Sequence, residues 1–179
     1  MHPRIQEVVG VLDTYRTALE QAVSQVPPAL RSTRPAPERW SVAEIIEHLS
    51  LVEARVGQLI MAQLAAARAN GLGTEVETSP VGPTFNVDAL LDRSRVITAS
   101  EASRPNAALT TEAGLAALTE RRRVLRDAIV AADGLALSSV VAPHPRFGDL
   151  NLYQWLLFIA AHEGRHTAQI REAASAVSP

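Results

Sequence analysis

Two histidines near the end of the chain carry the clearest chemical signal in the sequence. The stretch "HEGRHTAQI", residues 162–170, contains H-E-x-x-H, in which two histidines bind zinc and the glutamate is the base of a metalloprotease. The extended form of this pattern places a turn glycine before a third ligand. Here Gln169 stands at the glycine position and Glu172 at the third-ligand position, so the helix continues and carries Glu172 to roughly the opposite face. We therefore predict that the match to the protease pattern is fortuitous.

A third histidine, on an earlier predicted helix, is a better candidate ligand. On a helical wheel, His162 and His166 are i, i+4 neighbours in line with Ile159, and His48 lies at the edge of another apolar stripe. A lone inward histidine is more often a hydrogen-bonded core residue than a ligand. Three buried imidazoles, however, would be costly unless they shared a ligand, and a metal satisfies all three nitrogens. We predict a metal site at His48, His162 and His166, although the sequence alone does not make the two helices neighbours.

Other polar residues near these histidines are secondary candidates. Glu163 lies near the apolar stripe of the last helix, and we predict that it is a catalytic base or a residue that supports a ligand. Glu44 could also act as a base but is better explained as a helix cap. His144 lies in a turn-rich loop and is expected not to bind the metal. Arginines of the segment 93–104 could hold a substrate carboxylate.

Four long amphipathic helices are predicted to position these side chains. The second helix begins at a capping box of Ser41 and Glu44, and the last begins at Asn151 with Gln154 three residues later. Residues 87–95 could form a further short helix, and we find no convincing strand. These features predict one all-α domain, residues 1–179, built as a four-helix bundle with long connections. Apolar residues recur at helical spacing near 4–26, 42–69, 111–132 and 152–174.

Composition narrows the classes of function. The chain of 179 residues has no cysteine, which excludes disulfides, thiolate ligands and a cysteine nucleophile, and suits a reducing cytoplasm. The formal charge is −2 with no basic block, so nucleic acid is not an expected partner. The start lacks the apolar core of a signal peptide, and runs such as "LLFIAA" are too short to span a bilayer. We expect a cytoplasmic protein with a small-molecule substrate and no membrane partner. A homodimer is one option for its assembly.

The residues that carry these signals resemble a known family. "RWSVAEIIEHL" (39–49), "HPRFGDLNLYQWLLFIAAHEGRHTAQI" (144–170) and the bundle layout resemble the DinB-like superfamily of bacterial metal-binding four-helix bundles. The most telling motifs are the tryptophan-serine cap followed by histidine and the closing H-x-x-x-H-x-x-Q-I. The resemblance implies a divalent metal, zinc or nickel, held by His48, His162 and His166. It also implies that the helices carrying them lie side by side.

The resemblance implies a class of activity rather than one reaction. Some relatives are thiol S-transferases that use bacillithiol, glutathione or mycothiol, including a maleylpyruvate isomerase, and many members have no assigned activity. We therefore expect a metal-dependent enzyme, such as a low-molecular-weight-thiol S-transferase acting on a small electrophile. One alternative is a metal-dependent hydrolase at the same site. The other is a non-catalytic bundle that is held together by its metal and binds a partner. Apolar residues such as Val141, Phe147 and Leu150 could serve that role if exposed, but they could equally belong to the core.

Overall fold

Four long helices and one short helix make up most of the protein. The computed structural model describes residues 1–94 and 96–177. The predicted all-α class is confirmed, and the second long helix has its predicted bounds at both ends. None of the helices in the described residues combines the length and the apolar character needed to cross a bilayer. In chain order the helices are α1 (Pro3–Ser24), α2 (Val42–Ala69), α3 (Val87–Leu91), α4 (Thr111–Val130) and α5 (Leu152–Val177).

Side-chain caps define where α2 and α5 begin. The Ser41 hydroxyl accepts a hydrogen bond from the Glu44 N–H at 3.3 Å, and the Glu44 carboxylate accepts one from the Ser41 N–H at 2.9 Å. Asn151 and Gln154 form the same reciprocal pair, at 3.0 and 2.9 Å. Each pair satisfies two N–H groups that a helix start would leave without partners. Both predicted caps are confirmed, and Glu44 also forms an ion pair with Arg34.

Each of the four long helices contributes to two apolar clusters. The first cluster contains residues from the N-terminal halves of α1 and α5 and from the C-terminal halves of α2 and α4. The second cluster contains residues from the C-terminal halves of α1 and α5 and from the N-terminal halves of α2 and α4. It follows that α1 and α5 run parallel to each other, and that α2 and α4 run in the opposite direction. The first cluster includes Ile5, Leu12, Ile60, Leu125 and Leu156, and the second includes Leu19, Ile46, Leu118 and Ile170.

A small β-hairpin precedes α5, although the sequence showed no convincing strand. Strands β1 (Val141–His144) and β2 (Gly148–Asn151) pair antiparallel, with the buried Ala142 opposite the buried Leu150. Strands of four residues are too short to show an alternating pattern, and Pro143 argues against a strand in the sequence. Gly148 closes the turn of the hairpin with a positive φ of 72°, a conformation that glycine adopts without steric cost.

The hairpin also decides the placement of three apolar residues considered for partner binding. Leu150 is 4% exposed and belongs to the core, which decides between the two placements that the sequence left open for it. Phe147 is partly buried and packs against the same core. Val141 is 51% exposed. The three side chains therefore do not form one exposed apolar patch.

The long connection between α2 and α4, residues 70–110, packs back onto the bundle. Its helix α3 confirms the short helix predicted in this region, and α3 packs against α5. The 3-10 turn Glu101–Ser103 packs against α2. The connection therefore contacts both helices that carry the predicted metal ligands.

Candidate metal centre

The fold brings the three predicted ligands together between α2 and α5. The Nε2 atom of His162 lies 3.4 Å from Nε2 of His48 and 3.2 Å from Nε2 of His166. One ligand atom from each residue lies within 4.8 Å of the other two. His48 and His166 are buried, whereas His162 is partly exposed. We call these three residues the histidine cluster, and its geometry could hold a metal ion.

The two short Nε2–Nε2 distances suit a small divalent metal. Zinc binds imidazole nitrogens at about 2.0–2.1 Å, and tetrahedral geometry then separates two ligand nitrogens by about 3.3–3.4 Å. The observed separations of 3.4 and 3.2 Å are close to that value.

Two of the rings are oriented by carbonyl oxygens on their far sides. Nδ1 of His48 lies 2.6 Å from the backbone oxygen of Ser103, and Nδ1 of His166 lies 2.7 Å from Oε1 of Gln169. A carbonyl oxygen can only accept a hydrogen bond, so each Nδ1 carries the proton and each Nε2 keeps its lone pair. This arrangement is typical of metal-binding histidines, whose other nitrogen is held by an outer partner.

Two imidazole lone pairs in the histidine cluster face a third nitrogen that can carry only one proton. The lone pairs of His48 and His166 both face Nε2 of His162, at 3.4 and 3.2 Å. A neutral His162 can place at most one proton on that atom, and one proton makes a good hydrogen bond with only one neighbour. The second neighbour is left with lone pair against lone pair. A metal ion at the centre would satisfy all three nitrogens, so the residues present fit a bound metal.

The protonation of the cluster also suits a metal. Burial lowers the pKa of all three imidazoles: it lowers that of His162 to about 3, with help from the neighbouring His48, and that of His166 well below its ordinary value. The rings are therefore neutral at neutral pH. Neutral imidazole is the form that binds a metal, so no proton has to be displaced.

Aromatic rings line two sides of the cluster. The Trp40 ring lies 4.9 Å from the His48 ring and 6.5 Å from the His166 ring, measured between centroids. On the other side, Phe158 stacks against His162 at 5.6 Å with an interplanar angle of 27°. These apolar walls restrict water near the ligands, and a low local dielectric strengthens the electrostatic interactions of a bound ion.

His144 lies close to the cluster but outside it. Its ring packs against the Phe158 ring at 4.6 Å, on the side of the hairpin. Its Nδ1 accepts hydrogen bonds from the backbone N–H groups of Arg146 and Phe147, at 3.1 and 3.2 Å. His144 is not among the residues whose ligand atoms converge with those of the cluster. This placement agrees with the expectation that His144 is not a ligand, which stays a prediction.

Glu163 belongs to a separate group of buried charges, which we call the polar layer: Arg16, Glu53, Arg122 and Glu163. Oε1 of Glu163 accepts from Nη2 of Arg16 at 2.6 Å, and Oε2 lies 3.2 Å from Nη2 of Arg122 without the alignment of a hydrogen bond. The Glu163 side chain is 1% exposed. To act as a base, this carboxylate would have to leave two guanidinium groups. A catalytic role for Glu163 stays a prediction.

The other residues singled out in the sequence lie at the surface. Glu172 forms a bidentate ion pair with Arg93, at 2.7 Å for both contacts, and also contacts Arg39 at 3.3 Å. Glu172 therefore lies away from the histidine cluster, as expected if the protease pattern is fortuitous. Arg93 already has an anionic partner, which weakens its case as a substrate-binding residue. Arg95, another arginine of that segment, lies outside the described residues.

Sequence reasoning missed both the outer partners of the histidines and three members of the polar layer. Ser103 acts through a backbone oxygen, which leaves no mark in the sequence. The layer did leave a signal, because Arg16, Glu53 and Arg122 each stand four residues after one buried apolar residue and three before another. These flanking pairs are Leu12 and Leu19, Leu49 and Val56, and Leu118 and Leu125.

Comparisons with known proteins agree with this architecture. The family model described as "DinB superfamily" matches residues 12–170, a range that includes all three histidines of the cluster. The chain is also similar to a curated protein of Bacillus subtilis (strain 168), "Uncharacterized protein YuaE". The two are 25% identical over 146 residues, which cover 78% of this chain and 80% of the relative. Because the family model matches well over half of the residues, the chain belongs to the DinB superfamily.

Proposed function

We propose that the protein is a divalent-metal-dependent enzyme that transfers a low-molecular-weight thiol to a small electrophile. Zinc or nickel would be held by His48, His162 and His166. The observation that carries this proposal is the convergence of three Nε2 atoms, two of them on rings held by carbonyl oxygens at Nδ1. Neutral nitrogen donors of this kind suit zinc and nickel.

The chemistry follows from a ligand set without negative charge. A divalent metal bound only by neutral imidazoles keeps its full charge and lowers the pKa of a thiol or water beside it. The protein's part is to hold the three rings neutral, to orient them, and to restrict water with Trp40 and Phe158. The partly exposed His162 lies on the side from which a small molecule could approach.

The number of ligands supports a catalytic site over a structural one. Structural zinc sites are usually closed by four protein ligands, whereas catalytic sites have three and leave a position open. Within residues 1–94 and 96–177, the group of residues that could hold a metal consists of three histidines and no fourth ligand. A bundle that is only stapled by its metal would have no use for the open position.

The surrounding carboxylates favour thiol transfer over hydrolysis. A hydrolase at this site would be helped by a base, and the sequence offers Glu163 and Glu44. Glu163 is ion-paired with Arg16, and Glu44 is engaged by Ser41 and Arg34. A thiol is acidic enough to ionise beside the metal without a base, so transfer places no such demand on these residues.

The test is a matched set of turnover assays on the zinc-loaded and the nickel-loaded protein. The protein is given a small chromogenic electrophile together with bacillithiol, glutathione or mycothiol, and separately an ester and casein without a thiol. We expect thiol-dependent turnover that is lost in His48→Ala. Thiol-independent ester hydrolysis would favour the hydrolase. Full metal binding without turnover in any assay would favour the stapled bundle, and either result would overturn the proposal.

A further inference from the structure

The polar layer crosses the bundle between its two apolar clusters. Each long helix contributes one member: Arg16 from α1, Glu53 from α2, Arg122 from α4 and Glu163 from α5. On each helix the buried apolar residues on one side of the charged residue belong to the first cluster and those on the other side to the second. The four charges therefore occupy positions at which the bundle otherwise has leucine, isoleucine or valine.

Ion pairs and hydrogen bonds connect the four members inside the core. Glu53 accepts from Arg16 at 3.0 Å and from Arg122 at 2.6 Å, and Glu163 accepts from Arg16 at 2.6 Å. Arg122 also donates to the backbone oxygen of Leu12 on α1 at 3.1 Å. None of the four side chains is more than 11% exposed. The ion pairs thus link all four long helices at one level.

This level is also the level of the histidine cluster. Glu163 directly follows His162 and stands three residues before His166 on α5. Glu53 stands five residues after His48 on α2, which is about 7.5 Å along that helix axis. Because α2 and α5 run in opposite directions, Glu53 and Glu163 meet the same arginines beside the ligands. The layer therefore fixes both ligand-bearing helices within about two turns of the ligands.

A close approach between helices supports the same conclusion for α5. Gly164 follows Glu163, and a Cβ atom on Gly164 would lie only 2.6 Å from Cδ1 of Tyr15, a neighbour of Arg16 on α1. At this level the Tyr15 ring therefore packs closely against the backbone of α5, in the space that a side chain at position 164 would occupy. The segment of α5 that carries Glu163 is thus held by a close contact with α1 as well as by the ion pairs.

We propose that Arg16, Glu53, Arg122 and Glu163 are positioning residues for the metal centre. They set the axial position and rotation of α2 relative to α5, and so hold His48 in line with His162 and His166. Apolar side chains can shift past one another at small cost, but a buried charge that leaves its partner is strongly penalised. A polar residue at a core position fixes helix register in other bundles for this reason. The inference rests on metal binding at the histidine cluster, but not on thiol transfer.

The test replaces the layer with apolar residues of similar size and measures metal affinity. The fourfold variant is Arg16→Met, Glu53→Leu, Arg122→Met and Glu163→Leu. Replacing a complete buried ion-pair network in this way is often neutral or stabilising, so we expect a folded protein with a urea midpoint at or above that of the wild type. We expect its affinity for Co²⁺ to fall about tenfold or more, because the ligands are no longer held in place. The visible absorption of bound Co²⁺ should also weaken as water enters the coordination sphere.

A second buried ion pair provides the matched control. Arg4 and Glu75 lie 3.6 Å apart with exposures of 9% and 3%, and Arg4 is about 18 Å along α1 from Arg16. The variant Arg4→Met, Glu75→Leu removes a buried pair but leaves the level of the ligands intact. Its affinity for Co²⁺ should match that of the wild type. Equal loss in the control and the fourfold variant would overturn the positioning role.

The remaining outcomes are also decisive. A folded fourfold variant that binds Co²⁺ like the wild type overturns this inference and leaves the proposed function standing. A wild type that binds neither Co²⁺ nor Zn²⁺ overturns both. If the fourfold variant does not fold, the neutral double variant Arg16→Met, Glu163→Met decides in its place, because it keeps the pair of Arg122 and Glu53 at 2.6 Å. Wild-type affinity in that double variant would also contradict the proposal.

Discussion

The histidine cluster and the polar layer are two groups of polar side chains at the same level of one bundle, yet they are opposites in chemistry. The layer holds two cations and two anions that pair with one another, so its formal charge is zero and its partners are internal. The cluster holds neutral rings that present nitrogen atoms to one another without enough protons to join them. Charges that are paired inside the protein are typical of a structural element, whereas a cluster with a nitrogen lone pair left over has the arrangement that we expect of a binding site.

The difference also explains which residue belongs to which group. His162 and Glu163 are neighbours in sequence, but a step of one residue turns a helix by about 100°. His162 therefore joins the cluster between α5 and α2, whereas Glu163 points to the arginines of α1 and α4. The match to H-E-x-x-H joins two residues that serve different purposes in this fold.

The largest expected effect comes from breaking the polar layer rather than replacing it. Glu53→Ala leaves two buried arginines with one carboxylate between them, and we expect the free energy of unfolding to fall by about 3–5 kcal/mol. Urea denaturation of the metal-free protein at pH 7 measures this change. Glu172→Ala, which removes an exposed ion-pairing carboxylate, is the control and should cost at most about 1 kcal/mol. A loss below about 1 kcal/mol for Glu53→Ala would show that the layer is not a structural device.

The next effect is stabilisation of the protein by Zn²⁺, which tests whether the cluster is a binding site. Free Zn²⁺ at about 100 times its dissociation constant should stabilise the wild type by about 2.7 kcal/mol. The same Zn²⁺ should have almost no effect on His166→Ala, and chelation should bring the two proteins to similar stability. Thermal unfolding with Zn²⁺ and with a chelator measures both. Equal stabilisation of the two proteins by Zn²⁺ would place the binding site elsewhere.

A smaller effect is expected from the outer partner of His166. Gln169→Ala removes the Oε1 atom that lies 2.7 Å from Nδ1 of His166 and accepts its hydrogen bond. Because this contact orients the ring, we expect metal affinity to fall about 10–100-fold. Competition for Zn²⁺ against a chromogenic chelator gives the affinity. Gln21→Ala, an exposed glutamine on α1, is the control. Unchanged affinity in Gln169→Ala would mean that the ring of His166 is held by its packing alone.

A further expected effect is the acid sensitivity of the metal-free protein. The folded protein keeps the three imidazoles neutral, because burial lowers their pKa, whereas in the unfolded chain they take up protons near the ordinary value of 6.5. Below about pH 6.5 the unfolded state therefore binds more protons, and stability falls as pH falls. Urea midpoints between pH 7.5 and 5 should show this decline, with a shallower slope in the double variant His162→Ala, His166→Ala. Parallel slopes would contradict the lowered pKa values.

The sequence predicted the helices well because their signals are long and redundant. α2 has an apolar stripe of many turns, a capping box at Ser41 and a glycine just after its end, and all three agree. The sequence did not predict the hairpin because each strand has only four residues, of which Ala142 and Leu150 are the buried apolar ones. Local patterns need length, and a short strand that is stabilised mainly by packing does not supply it.

Part of the candidate site could also be predicted from the sequence, and part could not. His162 and His166 could be paired from their spacing alone, and the fold then brought His48 beside them, although metal binding stays a prediction. The contact of Ser103 with His48 joins residues 55 apart through a backbone oxygen, for which no residue type is diagnostic. Arginine at a core position was visible in the sequence, but long cationic side chains usually extend to solvent, so burial was not the expected outcome.

The central claim is that the histidine cluster binds one divalent metal, and metal content tests it most directly. The wild type, His48→Ala and His144→Ala are purified, loaded with Zn²⁺, freed of excess metal and submitted to elemental analysis. We predict about one Zn²⁺ per chain in the wild type and in His144→Ala, and a sharp loss in His48→Ala, since three neutral ligands become two. Full occupancy in His48→Ala, or no Zn²⁺ in the wild type, would contradict the account.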